Sequence, residues 1–81
     1  MRIDQYLKKT SIFKKRTEAK IMCERNLIKL NGRPSKPSKS VMTGDVIEIE
    51  TPHGIKQIRV LHIPTGNVRK DHKELYYEEI Q

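Results

Sequence analysis

Cysteine is nearly missing from this chain: Cys23 stands alone among 81 residues. An internal disulfide framework is therefore excluded, and the composition fits a reducing cytoplasm. No apolar run reaches the length of a signal peptide core or a membrane span, and the chain opens on the charged Met1-Arg2-Ile3-Asp4. We read it as soluble and cytoplasmic, with no membrane partner. Aromatics are also scarce, at three Tyr, one Phe and no Trp, which argues against a platform that stacks the bases of single strands. Gly-rich phosphate loops, internal repeats and low-complexity tracts are absent. His53, His62 and His72 lie far apart, without metal-ligand spacing to Cys23 or to an acid. Cys23 falls on the apolar face of a predicted helix and reads as a buried structural thiol. Asp4 and Asp45 are explained locally, one by a first helical turn and the other by a tight turn. No catalytic group, metal site or cofactor is predicted, so the domain binds and does not catalyse.

Acidic residues are the other deficit, 10 Asp and Glu against 17 Lys and Arg, for a net charge of +7. Their distribution tells more than their number. Residues 1–39 hold 12 cations and 3 anions, whereas residues 40–81 hold 5 cations and 7 anions. The first half thus carries +9 and the second −2. An acidic partner such as a nucleic acid or an anionic membrane is implied, and its contact surface belongs to the first half.

A chain of this size makes one small domain with a modest core. Ile3, Tyr6 and Leu7 recur at helical spacing and predict a first helix over Ile3–Lys9, interrupted by Thr10 and Ser11. Ile12 and Phe13 read as a buried plug in the connection. A second helix is expected from Glu18 to about Arg25, with Ala19, Met22 and Cys23 inward and Asn26 closing it in the left-handed conformation. Leu27–Leu30 reads as a strand, and Asn31-Gly32 is a strong hairpin signal. Pro34 and Pro37 keep the return irregular or at a sheet edge, and Ser35–Ser40 reads as an exposed polar loop. Thr43-Gly44-Asp45 predicts a turn before a strand over Val46–Glu50. After Pro52-His53-Gly54 comes another strand over Gln57–Leu61. The class is α+β, two short N-terminal helices on a small, mostly antiparallel sheet. Residues 1–62 form the binding domain, and residues 63–81 an extension that pattern leaves open between a short helix and an extended tail.

The run Lys14-Lys15-Arg16 leads into the second predicted helix, with Thr17 suited to cap it and Glu18 to its first turn. Three cations gain nothing from the positive end of a helix dipole. They make sense with a polyanion lying across them and the free amides of the helix start. Helices packed across each other would bring Arg2 to the same side. Lys20 lies one turn along, and Lys36 and Lys39 sit beyond the hairpin. A cluster of this kind repels itself when empty, and a nucleic acid backbone neutralises it with release of counterions.

The set Arg2-Ile3-Asp4 with Leu7, Arg16-Thr17 with Ala19-Lys20, Asn31-Gly32, Lys36-Pro37-Ser38 and Gly44-Asp45 resembles the αL RNA-binding motif, the domain named after ribosomal small-subunit protein S-four. The resemblance spans roughly residues 1–50 in order and spacing. As a whole, the chain looks most like the short stand-alone bacterial members of the RqcP type, which are related to a heat-shock protein that binds stalled large subunits. Asn26 stands where the family usually has Gly. The resemblance implies a non-catalytic protein whose two helices and hairpin grip structured RNA. It implies binding to large ribosomal subunits blocked by peptidyl-tRNA, contact with both rRNA and tRNA, and assistance to C-terminal alanine tailing by a factor on the same subunit. By position, it implies that Arg2 and Arg16 are the leading RNA contacts. Lys14, Lys15, Lys20 and Lys36 support them, with Thr17 offering a hydroxyl to phosphate. A monomer is expected.

Folded RNA hides its major groove from side chains, so such a face would read backbone shape and hydroxyls. The alternative is a general structured-RNA or DNA-binding module. A DNA-reading helix needs polar base-reading side chains, yet Glu18, Ile21 and Glu24 occupy much of the outer face of the second helix. A membrane-surface helix is denied by the break at Thr10-Ser11.

Overall fold

Helix α1 (Ile3–Lys9) exists because one of its faces is wholly apolar: Ile3, Tyr6 and Leu7 are each fully buried. The computed structural model describes residues 1–66 and 70–80. The first amides of α1 donate to carbonyls of a later loop, Ile3 N to Lys39 O at 2.8 Å and Asp4 N to Pro37 O at 3.3 Å. Its end is set by Thr10, whose hydroxyl donates to Tyr6 O at 2.8 Å, and by Ser11 at φ 61°. Ile12 and Phe13 follow, half-buried against the core as the plug reading expects.

Helix α2 spans Arg16–Glu24 and so begins two residues earlier than its predicted start. Thr17 therefore lies inside the first turn and does not cap the helix. The extended backbone of Lys15 does the turning, and its carbonyl accepts from Glu18 N at 3.2 Å and Ala19 N at 3.4 Å. At the other end Asn26 takes φ 61°, with Asn26 N returning to Cys23 O and Leu27 N to Met22 O, both at 3.0 Å. This is the left-handed closure read from the sequence.

Five antiparallel strands make one sheet in the order β2-β1-β3-β4-β5. They are β1 (Ile28–Leu30), β2 (Arg33–Pro34), β3 (Val46–Thr51), β4 (Gly54–Val60) and β5 (Tyr77–Ile80). Asn31 and Gly32 join β1 to β2 with φ of 52° and 86°, the geometry of a two-residue hairpin turn. The Asn31 side chain also anchors the later turn. Its Nδ2 donates to Asp45 Oδ1 at 3.1 Å, and its Oδ1 accepts from Val46 N at 2.9 Å. Ile28, Leu30, Ile47, Ile49, Ile58 and Val60 line one face, and α1 and α2 cover it with Ala19 and Cys23 included. Strand alternation puts Lys29, Glu48, Gln57 and Arg59 on the opposite face.

Two predicted segments differ. Ser35 is buried and not part of an exposed loop, because its N–H donates to Ile28 O at 3.0 Å and its hydroxyl to Lys36 O at 3.0 Å. The ambiguous tail forms a 3-10 helix (Lys70–Leu75) followed by β5, which pairs along β4. The described part of 63–81 thus supplies the fifth strand of the same sheet, while 67–69 and 81 lie outside the described residues. Tyr76 O joins this tail to the rest by accepting from Tyr6 Oη at 2.8 Å, Leu61 N at 2.8 Å and His62 N at 3.2 Å. Burial, and secondarily Tyr77, pushes the Tyr6 phenol well above its ordinary pKa. No helix among the described residues is long and apolar enough to cross a membrane.

Candidate nucleic-acid interface

Packing of α1 against α2 decides which cations meet. Arg2 immediately precedes α1 and Arg16 opens α2, so the crossing brings both to the carboxylate of Asp4. Arg2 Nη2 lies 3.3 Å and Arg16 Nε 3.4 Å from the same oxygen, Asp4 Oδ2. Asp4 Oδ1 accepts from Gln5 N at 2.7 Å. The acid is 2% exposed, whereas the two arginine side chains are 48% and 46% exposed. Local helix preference alone does not account for Asp4, contrary to the reading from sequence: the residue sits between two arginines from separate elements.

Around this trio lies a recess of about 250 Å³ lined by Arg2, Asp4, Arg16, Thr17 and Lys20. Four of the seven predicted contact residues are thereby brought together. Lys14 and Lys15 do not line the recess; they are exposed on the segment entering α2. Among the described residues, the N–H groups of Arg16 and Thr17 donate to no protein acceptor. The residues lining the recess thus carry guanidinium, ammonium and hydroxyl donors, a set suited to phosphate oxygens.

Lys36 stands elsewhere. It borders a larger open recess of about 1000 Å³ between the β1–β2 hairpin and the loop that follows it. Arg33 and Lys39 share that rim, with Ser38 and Ser40 between them. Asp45 also borders it, but both its oxygens are engaged, by Asn31 Nδ2 and by Met42 N at 2.8 Å. An isolated bridge between Arg2 and Ser40 brings the loop alongside the start of α1. Arg33 was missed in the sequence reading, although the two-residue turn just before it fixes its place at the recess.

No carboxylate lies within ion-pair distance of Lys14, Lys15, Lys20, Arg33, Lys36 or Lys39 among the described residues. Behind this surface Cys23 is buried, and its thiol is pushed up to about 11 by burial first and then by Asp4 and Glu24. It packs within the hydrophobic core. His53 and His62 are exposed, and the side chain of His72 lies outside the described residues. Among the described residues no group of three or more His, Cys, Asp or Glu side chains could hold a metal.

Comparison with known proteins gives concordant matches. The S4 domain family model matches residues 1–47, a span that contains every residue bordering the two recesses. A Helicobacter pylori protein named RQC P-site tRNA stabilizing factor is 43% identical over 94% of this chain and 92% of its own length. Vibrio cholerae heat shock protein 15, solved as a trimer, superposes with a TM-score of 0.90 at 30% identity, over 99% of this chain and 81% of that one. The solution structure of a hypothetical protein, HP1423, superposes with a TM-score of 0.86 at 35% identity, over 100% and 98% of the two chains. The chain belongs to the S4 domain family and, within it, to the stand-alone proteins named RQC P-site tRNA stabilizing factor.

Proposed function

We propose that this protein is a non-catalytic RNA-binding factor of ribosome-associated quality control. It steadies peptidyl-tRNA on obstructed large ribosomal subunits, touches rRNA and tRNA together, and so assists C-terminal alanine tailing of the stalled chain. The observation that carries the reading is the gathering of Arg2, Arg16, Thr17 and Lys20 round one recess. With Lys14, Lys15 and Lys36 they are its RNA contacts.

The mechanism is positioning. Phosphates on a folded RNA backbone are set by its shape, and a rigid basic surface selects that spacing without reading bases. Arg2 and Arg16 take the central contacts because a planar guanidinium can pair with phosphate through two hydrogen bonds. Lys14, Lys15 and Lys20 add point charges along the same path, and Lys36 engages a stretch of backbone at the second recess. No step makes or breaks a covalent bond. One cytoplasmic copy acts per subunit, as a monomer.

Sedimentation of tagged protein from cell lysate, with sequencing of the RNA that travels with it, tests this reading. Migration with large subunits and recovery of tRNA are expected. Migration with small subunits alone, or without RNA, overturns the quality-control assignment; recovery of diverse structured RNAs away from ribosomes favours a general RNA-binding module.

A further inference from the structure

A buried carboxylate is out of place on a surface that binds phosphate. Asp4 repels the ligand that its neighbours attract, and it is 2% exposed, so water does little to screen it. Its own stability is provided for, since Oδ2 faces Arg2 and Arg16 while Oδ1 takes the Gln5 amide. What the carboxylate gives in return is order. Arg2 and Arg16 come from different elements, and their long side chains, both about half exposed, would otherwise sample many rotamers and push each other apart.

Each guanidinium approaches Asp4 through one nitrogen, Nη2 of Arg2 and Nε of Arg16. A guanidinium carries its donors in a fixed fork, so holding one nitrogen orients the others. We propose that Asp4 is a positioning residue for RNA binding: its carboxylate fixes Arg2 and Arg16 as a preorganised pair for adjacent phosphate oxygens. The inference rests on the RNA-binding reading above. It adds that part of the affinity comes from ordering cost settled before the RNA arrives, and not from charge alone.

Charge alone and preorganisation predict opposite signs for one substitution. Asp4→Asn removes a negative charge from the recess, so simple attraction predicts tighter RNA binding. Preorganisation predicts weaker binding, because a neutral amide holds two guanidinium groups poorly. Asn keeps the size of the side chain and an oxygen for the Gln5 amide, which favours an intact fold.

The test is titration of the full chain, unaltered and as Asp4→Asn, against large ribosomal subunits carrying a P-site tRNA, with thermal melts of both. A loss of about tenfold in affinity with an unchanged melt is expected. The loss should vanish when Arg2→Gln and Arg16→Gln are already present, as a coupling between contacting residues requires. Equal or tighter binding by Asp4→Asn, or an equal loss without the two arginines, overturns the inference while the RNA-binding reading stands. Failure of the unaltered protein to bind overturns that reading first. Should Asp4→Asn not fold, the Asp4→Glu variant decides: charge is kept and the carboxylate is displaced by one methylene from the two guanidinium groups. A similar tenfold loss supports positioning, and unaltered affinity contradicts it.

Discussion

The two faces of this small domain treat their cations in opposite ways. On the sheet, positive charge is matched across strands. On its outer face Lys29 lies 3.7 Å from Glu48 and Arg59 3.0 Å from Glu78, and Gln57 donates to Glu48 at 3.0 Å; at the end of β4, on the Ile58 side, Lys56 is likewise paired, 2.9 Å from Glu79. On the helical side and the adjoining loop, Lys14, Lys15, Lys20, Arg33, Lys36 and Lys39 have no such partner among the described residues, and Arg2 and Arg16 share one acid. Cross-strand pairs of opposite charge make a solvated face that repels no neighbour. The contrast shows that solubility alone does not explain the excess on the helical side, since the sheet reaches solvent without one.

Charge reversal sharpens the contrast most. Arg16→Glu should lower affinity for tRNA-bearing large subunits about 10- to 100-fold, the range for charge-assisted hydrogen bonds replaced by repulsion. Arg59→Glu on the sheet should leave affinity within about twofold and cost stability by no more than about 1 kcal/mol, as an exposed ion pair does. Filter-binding titration and urea denaturation read the two effects; equal losses from both variants would erase the distinction between the faces.

A smaller effect is expected from Lys14→Ala with Lys15→Ala. These exposed lysines lie outside the recess, so affinity should fall several-fold at low salt. The slope of log affinity against log salt should flatten by about 1.4 to 1.8, two phosphate contacts' worth. An unchanged slope would remove the pair from the RNA path.

Frame and face can also be separated. Tyr6→Phe deletes one of three donors to Tyr76 O, so it should cost about 1 kcal/mol in urea denaturation. RNA affinity should not change. Cys23 is expected to move least. Its thiol should resist a thiol-reactive probe at neutral pH until the chain is unfolded. Because its pKa rises from 9.0 to about 11 on folding, the stabilisation it gives is complete below 9 and is lost as pH rises through 11. Denaturation across that window, compared with Cys23→Ala, reads the contribution.

Features set by neighbouring residues were legible in the sequence. Asn31-Gly32 demanded a tight hairpin, Asn26 a left-handed helix end, and alternation at Ile47, Ile49, Ile58 and Val60 a sheet with one buried face. Features set at long range were not. The extended form of Tyr77–Ile80 depends on pairing with β4 and on the Tyr6 hydroxyl reaching Tyr76. Ser35 looked like loop surface because the Ile28 carbonyl that receives its amide is distant in sequence. Thr17 looked like a cap because propensity favours it, whereas the Lys15 backbone starts the helix. The relation of Asp4 to Arg2 and Arg16 needed the crossing of two helices to become visible.

Ultraviolet crosslinking of the protein to RNA on large ribosomal subunits, with mass-spectrometric mapping of the crosslinked residues, tests the central claim most directly. Crosslinks at Arg2, Lys14–Lys20 and Arg33–Lys39, with none on β3 or β4, are the result that the unequal faces predict. Crosslinks concentrated at Lys29 and Arg59 would place the RNA on the outer face of the sheet and contradict the account.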